Sequence, residues 1–331
     1  MTETPKDAVL LADIGGTHAR FGLYHDGLIH DPVLLPVADY ADALSCFQAV
    51  AETFCVKTPA SVAIASSGQV GEDGNWLTHN NDNWLNSKDV LTQGGFNPIL
   101  LVNDFVATTR GCVKLTSQDY RYIRHGSGIA HMPIAALGPG TGLGLAYAIP
   151  MKDKSWHVCD TFGGHMPVAT IDDEQALIVR TAQRFRPGAP GYLFYEDLIA
   201  GRGLPALYKA ISLIHGKNDF NGTAKDILEL DSADPIVASM YKHFSSLLGS
   251  FTKTAVLALQ AYGGVYMDGG LIQKIVDQKK FDLPAFEHAL TAPSGFPVID
   301  EKFEKLPVRL IDTAYIALRG LKGFLEDGKH S

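Results

Sequence analysis

Residues 11–17 read Leu11-Ala12-Asp13-Ile14-Gly15-Gly16-Thr17, an apolar run that ends in two glycines and a threonine. The run predicts a short strand, and the glycines predict a turn after it. Glycine at a strand end lets backbone N–H groups approach an oxyanion closely, and the Thr17 hydroxyl adds a donor. Asp13, which precedes the turn, is suited to hold a metal ion or its water shell. Taken alone, however, Gly15-Gly16 is more typical of a hairpin turn.

Two more glycine clusters follow predicted strands, at residues 138–144 and at Asp268-Gly269-Gly270. The first contains more glycine than a turn requires, whereas the second alone resembles an ordinary turn between a strand and a helix. Neither is a P-loop, because the chain contains no G-x-x-x-x-G-K-[ST]. The dinucleotide pattern G-x-G-x-x-G also fails, since Leu143 occupies a glycine position and a strand follows. The three clusters together, in this order, indicate phosphate binding.

Strand-like and helix-like segments alternate, which predicts an α/β chain with two sheet-bearing blocks. A helix is predicted over residues 39–54, with Asp39 as its cap. The apolar strand at residues 99–102 stops at Asn103-Asp104, before another predicted helix. The clearest helix is predicted from Pro235 to about residue 261, capped by Asp234 and ended by Gly263-Gly264.

Composition restricts the possible partners. The 331 residues carry a formal net charge of −8, which disfavours wrapping nucleic acid or binding an anionic membrane. The four cysteines are scattered without a Cys-x-x-Cys pair, as is typical of reduced thiols. The sequence shows neither a signal-peptide pattern nor an apolar run long enough to span a bilayer. We therefore expect a soluble, cytoplasmic protein without nucleic-acid or membrane partners.

Six segments, collinear over nearly the whole chain, resemble the bacterial glucokinases. This family belongs to the hexokinase group and has the two-domain actin-like ATPase (ribonuclease H-like) α/β fold with an interdomain cleft. The segments are residues 11–21, 101–105, 137–145, 163–165, 196–204 and 269–270. One such match would be weak, but six in order with family-like spacing are a specific signal.

The resemblance implies a domain division and a set of nucleotide-binding residues. One domain would comprise residues 1–114 plus 312–331, and the larger one residues 115–311, with sugar and ATP meeting between them. Homodimers are usual in the family. The first phosphate loop would be Asp13, Gly15, Gly16 and Thr17, the second Gly138, Gly140, Thr141 and Gly142, with Gly269 and Gly270 beside the adenosine. Asp13 would hold Mg²⁺ through water.

The activity implied is ATP-dependent phosphorylation of a hexose, with glucose converted to glucose 6-phosphate at the entry to glycolysis. Asp104 is the candidate base for the attacking hydroxyl. The pattern alone favours a helix N-cap at Asp104, and the two roles can coexist. The resemblance assigns Asn103, His165 and Glu196 to the sugar hydroxyls, with Asn81 a weaker candidate. Alone, His165 would be an ordinary surface residue and Glu196 a plain helix start.

The sugar site departs from the family at two positions. Members usually read Glu-Gly-Gly-His followed by an aspartate two positions on, but here Phe162 replaces the glutamate and Pro167 the aspartate. A phenyl ring cannot accept a hydrogen bond from a hydroxyl. The alternatives are therefore a kinase for a different hexose or a catalytically weak sugar-sensing homologue. No cysteine-rich zinc loop is present in the sequence, so no structural zinc is expected.

Overall fold

The computed structural model describes Pro5 and residues 7–58, 60–67, 69–71, 75–77, 85–186, 191–217 and 220–328. The strands are β1 Val9–Ile14, β2 His18–His25, β3 Leu28–Pro36, β4 Ala60–Ser66, β5 Gln69–Val70, β6 Asn75–Leu77, β7 Leu85–Ser87, β8 Phe96–Asn103, β9 Tyr120–Arg124, β10 Ile134–Pro139, β11 Leu143–Pro150, β12 Trp156–Asp160, β13 Gly264–Met267 and β14 Val308–Ile311. The helices are α1 Ala43–Thr53, α2 Lys88–Gln93, α3 Asp104–Cys112, α4 Asp173–Ala182, α5 Glu196–Ile199, α6 Leu204–Ile214, α7 Ala224–Leu228, α8 Pro235–Leu259, α9 Gly270–Asp277, α10 Leu283–Leu290, α11 Pro297–Glu304 and α12 Ile316–Glu326. Short 3-10 helices lie at Val37–Asp39, Gly163–His165 and Gln183–Phe185. Across these described ranges, no helix is both long and apolar enough to cross a bilayer.

The chain divides into two compact units. The first comprises Met1–Thr116, Val158–Asp160 and Thr313–Ser331, and the second comprises Ser117–His157 and Thr161–Asp312. A five-stranded sheet of order β3-β2-β1-β4-β8 forms the first unit, and β5-β6-β7 form a small separate sheet. The other large sheet has the order β12-β11-β10-β13-β14-β9.

Both large sheets are built on the same plan. Each has an antiparallel hairpin, β1–β2 or β10–β11, whose first strand then pairs in parallel with a later strand. The parallel partners follow crossover connections, and these connections place helices against the sheet faces. Because parallel strands end at the same edge of a sheet, the turns after β1, β4 and β8 gather at one edge. The turns after β10 and β13 do the same in the second sheet.

Helix α1 begins later than the sequence predicts. The predicted cap, Asp39, lies in the 3-10 helix Val37–Asp39, so that prediction is wrong. Asp42 is the cap: its Oδ1 accepts a hydrogen bond from the Ser45 N–H at 2.7 Å, and its own N–H donates to Ser45 Oγ. This reciprocal capping box satisfies two helix-end groups at once, an arrangement that Asp39 does not have.

Helix α8 confirms the predicted start and the approximate end near residue 261, but not the residues predicted to end it. Asp234 Oδ1 accepts the Ile236 N–H at 2.7 Å, and Pro235 occupies the first turn. The last helical residue is Leu259, and the C-cap is Gln260 in the left-handed conformation with φ 53°, not Gly263-Gly264. Phe244, Leu248 and Phe251 are buried in the core of the second unit.

Helices α3 and α12 pack unusually closely against each other in the first unit. A Cβ on Gly320 would lie 1.7 Å from the Ala107 carbonyl oxygen, and one on Gly111 would lie 2.7 Å from that of Ile316. Only glycine permits this approach at both crossing points. The pair covers one face of the five-stranded sheet and fixes α3 where β8 ends, which places Asn103 and Asp104 at the carboxyl edge.

Candidate active site

The first glycine cluster is the turn of the β1–β2 hairpin. The Gly15 N–H donates to the His18 carbonyl at 3.0 Å, so residues 15–17 form a short loop at the edge of the sheet. Both the hairpin and the phosphate-loop interpretations of Gly15-Gly16 are compatible with this geometry. Gly15 and Gly16 are partly accessible and Thr17 is exposed, so the loop can meet a ligand.

Asp13 is paired with a residue that the sequence analysis missed. Its side chain is 11% exposed, and Oδ2 accepts a hydrogen bond from Arg20 Nη1 at 3.0 Å. The antiparallel register of β1 and β2 explains the pair, because it sets Arg20 directly opposite Asp13 across the hairpin. Mg²⁺ is commonly bound through one or two carboxylates together with water and substrate phosphates, so a single aspartate beside a phosphate loop fits it.

Asn103 and Asp104 lie at the same sheet edge as Asp13. Asp13 aligns with Ala65 of β4, and Asn103 aligns with the next residue, Ser66, on the far side of that strand. Strands β1 and β8 lie on either side of β4, so the turns that follow them flank the end of β4. This arrangement brings a phosphate-loop candidate, a metal-ligand candidate and the candidate base to one edge.

The cap of α3 is Asn103, which corrects the alternative that Asp104 is the N-cap. Asn103 Oδ1 accepts the Phe105 N–H at 2.9 Å, and Asp104 Oδ1 accepts the same N–H at 2.8 Å from the first helical position. Asp104 is partly exposed, as a proton acceptor for a substrate must be. Asn103 already uses its amide oxygen within the chain, so its NH₂ group is the part better suited to a sugar hydroxyl.

The second glycine cluster is the turn of the β10–β11 hairpin. β10 continues to Pro139 and β11 starts at Leu143, so the loop shrinks to residues 140–142. Gly140 N–H donates to the Gly142 carbonyl at 2.9 Å. The segment after α5 holds the loop from outside, because Gly201 N–H donates to the Gly140 carbonyl at 2.8 Å.

Glu196 is tied to this loop. Its Oε2 accepts the Leu143 N–H at 2.8 Å, and its Oε1 accepts from Arg202 Nη2 at 2.7 Å. The side chain is mostly buried, and Arg202 was not anticipated from the sequence. An ionised carboxylate has about four acceptor sites, so both oxygens retain capacity for a ligand hydroxyl.

Four glycines assigned to nucleotide binding differ in what the fold demands of them. A Cβ on Gly138 would lie 1.4 Å from the Asp268 carbonyl oxygen, and one on Gly269, at φ +132°, would lie 2.5 Å from that of Pro139. Packing between two neighbouring turns explains these two. By contrast, a Cβ on Gly140 would find its nearest atom at 3.9 Å, and one on Gly270 would find nothing within 4 Å.

The third cluster stands beside the second at the carboxyl edge of the sheet. Leu137 of β10 aligns with Met267 of β13, and Asp268 N–H donates to the Leu137 carbonyl at 3.0 Å. Asp268 Oδ1 accepts the Gly269 N–H at 2.8 Å, and α9 begins at Gly270. A helix N-terminus presents unpaired N–H groups and a positive dipole end, which suit a phosphate.

His165 belongs to an exposed aromatic row made of Phe162, His165, Phe194 and Tyr192. The ring of His165 lies 6.3 Å from that of Phe162 and 5.3 Å from that of Phe194, and Phe194 lies 5.5 Å from Tyr192. Phe162 is 63% exposed and Tyr192 is 47% exposed. Phe194 and Tyr192 were not predicted, since a short non-local ladder joins residues 166–168 to 193–195.

The glycines before His165 have a structural reason. A Cβ on Gly163 would lie 2.2 Å from the Leu145 side chain, and one on Gly164 would lie 2.2 Å from the Leu143 carbonyl. Both glycines therefore let the 3-10 helix lie directly on β11. Thr161 Oγ1 accepts the Gly163 N–H at 3.0 Å and fixes its start.

The predicted residues thus gather at two sheet edges. The first unit brings together Asp13, Gly15, Gly16, Thr17, Asn103 and Asp104, and the second brings together Gly138, Gly140, Thr141, Gly142, Gly269 and Gly270, with Glu196 held against the 140–142 loop and His165 following the glycines that lie on β11. Asn81 lies outside the described residues. Within the described part of the chain, no group of three or more His, Cys, Asp or Glu side chains could hold a metal ion.

These two sheets, each with a glycine hairpin and parallel crossover strands, define the two-sheet α/β fold of sugar kinases of the actin-like ATPase class. The structure of a glucokinase from an Antarctic psychrotroph matches with a TM-score of 0.79 and 25% identity, over 97% of this chain and 99% of that one. A ROK family glucokinase from Streptomyces griseus, determined with glucose and AMPPNP, shares the fold at a TM-score of 0.61 and 17% identity, over 95% of this chain and 98% of that one.

Sequence comparison identifies the family. The family model described as Glucokinase matches residues 10–328. The glucokinase of Paramagnetospirillum magneticum is 31% identical over 98% of this chain and 99% of its own length. The chain also spans about half the length of several relatives named as bifunctional proteins, 48% in each of two cases. This chain belongs to the glucokinase family and is a hexose kinase, which confirms the predicted family, fold class and enzyme class.

Proposed function

We propose that this hexose kinase transfers the terminal phosphoryl group of ATP, in the presence of Mg²⁺, to glucose, and so forms glucose 6-phosphate. The observation that carries the proposal is the shared sheet edge of Asp13, loop 15–17 and Asp104. A metal-ligand candidate, a phosphate loop and a base are the three parts that phosphoryl transfer requires of a protein. Here one unit of the chain contributes all three.

Asp104 acts in the proposal as the base that accepts the proton of the attacking sugar hydroxyl as the new P–O bond forms. Backbone N–H groups of loops 15–17 and 140–142 would donate to phosphate oxygens, and the start of α9 at Gly270 adds a positive dipole end. Mg²⁺, held at Asp13 through water, would supply neutralisation of phosphate charge. Arg20, at 3.0 Å from Asp13, adds a permanent positive charge at the same place.

The sugar hydroxyls are assigned to Asn103, His165 and Glu196, with Asn81 still a prediction. A carboxylate, an amide and an imidazole match hydroxyls because each hydroxyl is both a donor and an acceptor. Glu196 would have a double role, because the same carboxylate holds the Leu143 N–H of the phosphate hairpin. Sugar binding and the shape of that loop would then depend on one side chain.

A second candidate is a kinase whose preferred hexose is not glucose. Phe162 is 63% exposed and begins the aromatic row, at a position where the family usually has a hydrogen-bonding glutamate. An exposed aromatic row favours a sugar with a more apolar face or substituent at this point. Loss of a charged partner for a hydroxyl weakens binding by about 1.5–3 kcal/mol, or about one to two decades.

The test is a coupled ADP-release assay with Mg-ATP over a panel of glucose, mannose, fructose, galactose and N-acetylglucosamine, with a no-sugar control. Glucose with the highest kcat/KM supports the first proposal, and a clear preference for another member supports the second. Absence of sugar-stimulated ADP release with every member would contradict both. Thermal stabilisation by sugar without turnover would then identify the sugar-sensing homologue. The homodimer and the cytoplasmic location remain predictions.

A further inference from the structure

The aromatic row presents a surface that a ligand can reach. Phe162 and Tyr192 are 63% and 47% exposed, His165 is exposed, and Phe194 is half-buried. Adjacent exposed rings on a folded protein commonly mark a ligand site. Since the chain is a hexose kinase and His165 is assigned to the sugar hydroxyls, a hexose is the ligand that this surface would meet.

The backbone holds the row in place. Tyr195 N–H donates to the Met166 carbonyl at 3.1 Å, so the residue after Phe194 is bonded to the residue after His165. Phe194 N–H donates to Asp197 Oδ2 at 3.0 Å. The two rings are therefore positioned before a ligand arrives, which lowers the entropy cost of binding it.

Asp197 is itself fixed by an ion pair. Its side chain is 5% exposed, and Oδ1 lies 2.5 Å from Arg186 Nη2. A buried carboxylate is destabilising unless it is paired and hydrogen-bonded, and here each oxygen has a partner. Glu196 precedes Asp197 in the chain, so the segment that carries Phe194 also carries an assigned sugar residue.

The rings of the row meet at steep angles. The planes of Phe162 and His165 meet at 64°, with centroids 6.3 Å apart, and those of His165 and Phe194 meet at 74°. Two rings at such an angle form a corner, which can contact a methyl group on two sides. Within the described ranges of the chain, the ring nitrogens of His165 have no hydrogen-bond partner. The corner between Phe162 and His165 is therefore apolar, with an unused polar group beside it.

An acylamino group matches this corner, because its methyl group is apolar and its amide both donates and accepts hydrogen bonds. A glutamate at position 162 would instead accept a hydrogen bond from a hydroxyl, and Phe162 lacks that acceptor. We propose that the aromatic row lets this kinase bind N-acylhexosamines as well as glucose, with the acyl group between Phe162 and His165. Phe194, in contact with the His165 ring, fixes its orientation. The inference rests on the proposed function, because a hexose must bind at this site.

The test is isothermal titration calorimetry of the full chain, without ATP, with glucose, N-acetylglucosamine and N-acetylmannosamine. The two N-acyl sugars are epimers at the carbon that carries the acylamino group, so together they cover both directions in which this group can approach Phe162. We expect the wild type to bind one of them at least as tightly as it binds glucose.

The test variant is Phe162→Ala, which should bind that N-acyl sugar about tenfold more weakly with an unchanged Kd for glucose. Phe162→Tyr keeps the ring and should keep the wild-type affinities. The matched control is Phe296→Ala, which removes another 63%-exposed phenyl ring from the second unit and should leave every Kd unchanged. Melting temperatures of all four proteins check folding.

Weaker binding of both N-acyl sugars than of glucose would overturn the inference, as would an unchanged Kd for them in Phe162→Ala or an equal loss in Phe296→Ala. Absence of binding by all three sugars would overturn it too. The proposed function has a separate readout, which is sugar-stimulated ADP release. Release with glucose, together with any of these calorimetric results, would remove this inference and leave the kinase proposal in place.

Discussion

The variant Gly140→Ala tests whether glycine is required at this position by the fold or by ligand binding. A Cβ there would find its nearest atom at 3.9 Å, an ordinary van der Waals distance, and Gly140 is not among the glycines with positive φ. Replacement also reduces the freedom of the unfolded chain, so the free energy of unfolding should change by no more than about 1 kcal/mol. The melting temperature should then shift by no more than about 4 °C.

Activity should respond quite differently to Gly140→Ala. If the 140–142 loop receives phosphate oxygens on its backbone, a methyl group stands in the open space where the nucleotide approaches. We expect kcat/KM for ATP to fall about 10- to 100-fold, equivalent to about 1.4–2.7 kcal/mol of transition-state binding. The measurement is steady-state ADP release at varied ATP and saturating hexose, beside thermal melts followed by circular dichroism.

The contrasting variant is Gly138→Ala, two residues away in the same hairpin. Its Cβ would lie 1.4 Å from the Asp268 carbonyl oxygen, so the two turns would have to separate by about 2 Å. Destabilisation by more than about 3 kcal/mol is expected. Wild-type kcat/KM for ATP in a stable Gly140→Ala protein would refute the assignment of this loop to phosphate.

Three further predictions concern the sugar site, the phosphate hairpin and pH. Phe162→Glu should lower the KM for glucose about tenfold or more, because it restores an acceptor for a sugar hydroxyl. The melting temperature should change little, since Phe162 is 63% exposed. Phe162→Leu is the control, and an equal KM for glucose in the two variants would contradict the loss of a hydroxyl acceptor at this position. Arg202→Met should raise the KM for ATP several-fold by releasing Glu196, measured as above; an unchanged KM would show that this ion pair does not shape the loop. Burial lowers the pKa of His243, 3% exposed and 3.5 Å from Glu174, so the folded state keeps it neutral while the unfolded state binds a proton below pH about 6.5. Stability should therefore fall by up to about 1 kcal/mol between pH about 7.5 and about 5.5, and His243→Gln should remove that part of the fall in urea titrations; an identical fall in the variant would exclude His243 as its source.

Local sequence patterns predicted the elements that depend on neighbouring residues alone, such as helix starts and turns. Asp234 and Pro235 start α8 as predicted because a cap and a first-turn proline act within three residues. The glycine clusters at 15–16 and 138–144 lie at hairpin turns, as an apolar strand followed by glycines and a second strand-like segment indicates. The family resemblance added the roles of these turns, which the patterns alone left open.

Features that depend on register or on distant segments were not accessible in the same way. Arg20 pairs with Asp13 only because the hairpin turn has the length that sets them opposite each other. Phe194 reaches His165 through a ladder between segments about 27 residues apart along the chain, for which no local pattern exists. Asp39 and Asp42 are both good caps by composition, and the reciprocal bonds with Ser45 decide between them.

The most direct test of the central claim is the kcat of Asp104→Asn, measured by transfer of labelled phosphate from γ-labelled ATP to the preferred hexose. Asparagine keeps an oxygen to accept the Phe105 N–H, now 2.8 Å from Asp104 Oδ1, and Asn103 still caps α3. The variant should therefore keep the start of α3 and lose the basic group, and a thermal melt beside the wild type checks the fold. We predict a kcat lower by about 10²–10⁴-fold with little change in the KM for ATP. A kcat within about twofold of the wild-type value would contradict the assignment of Asp104 as the base.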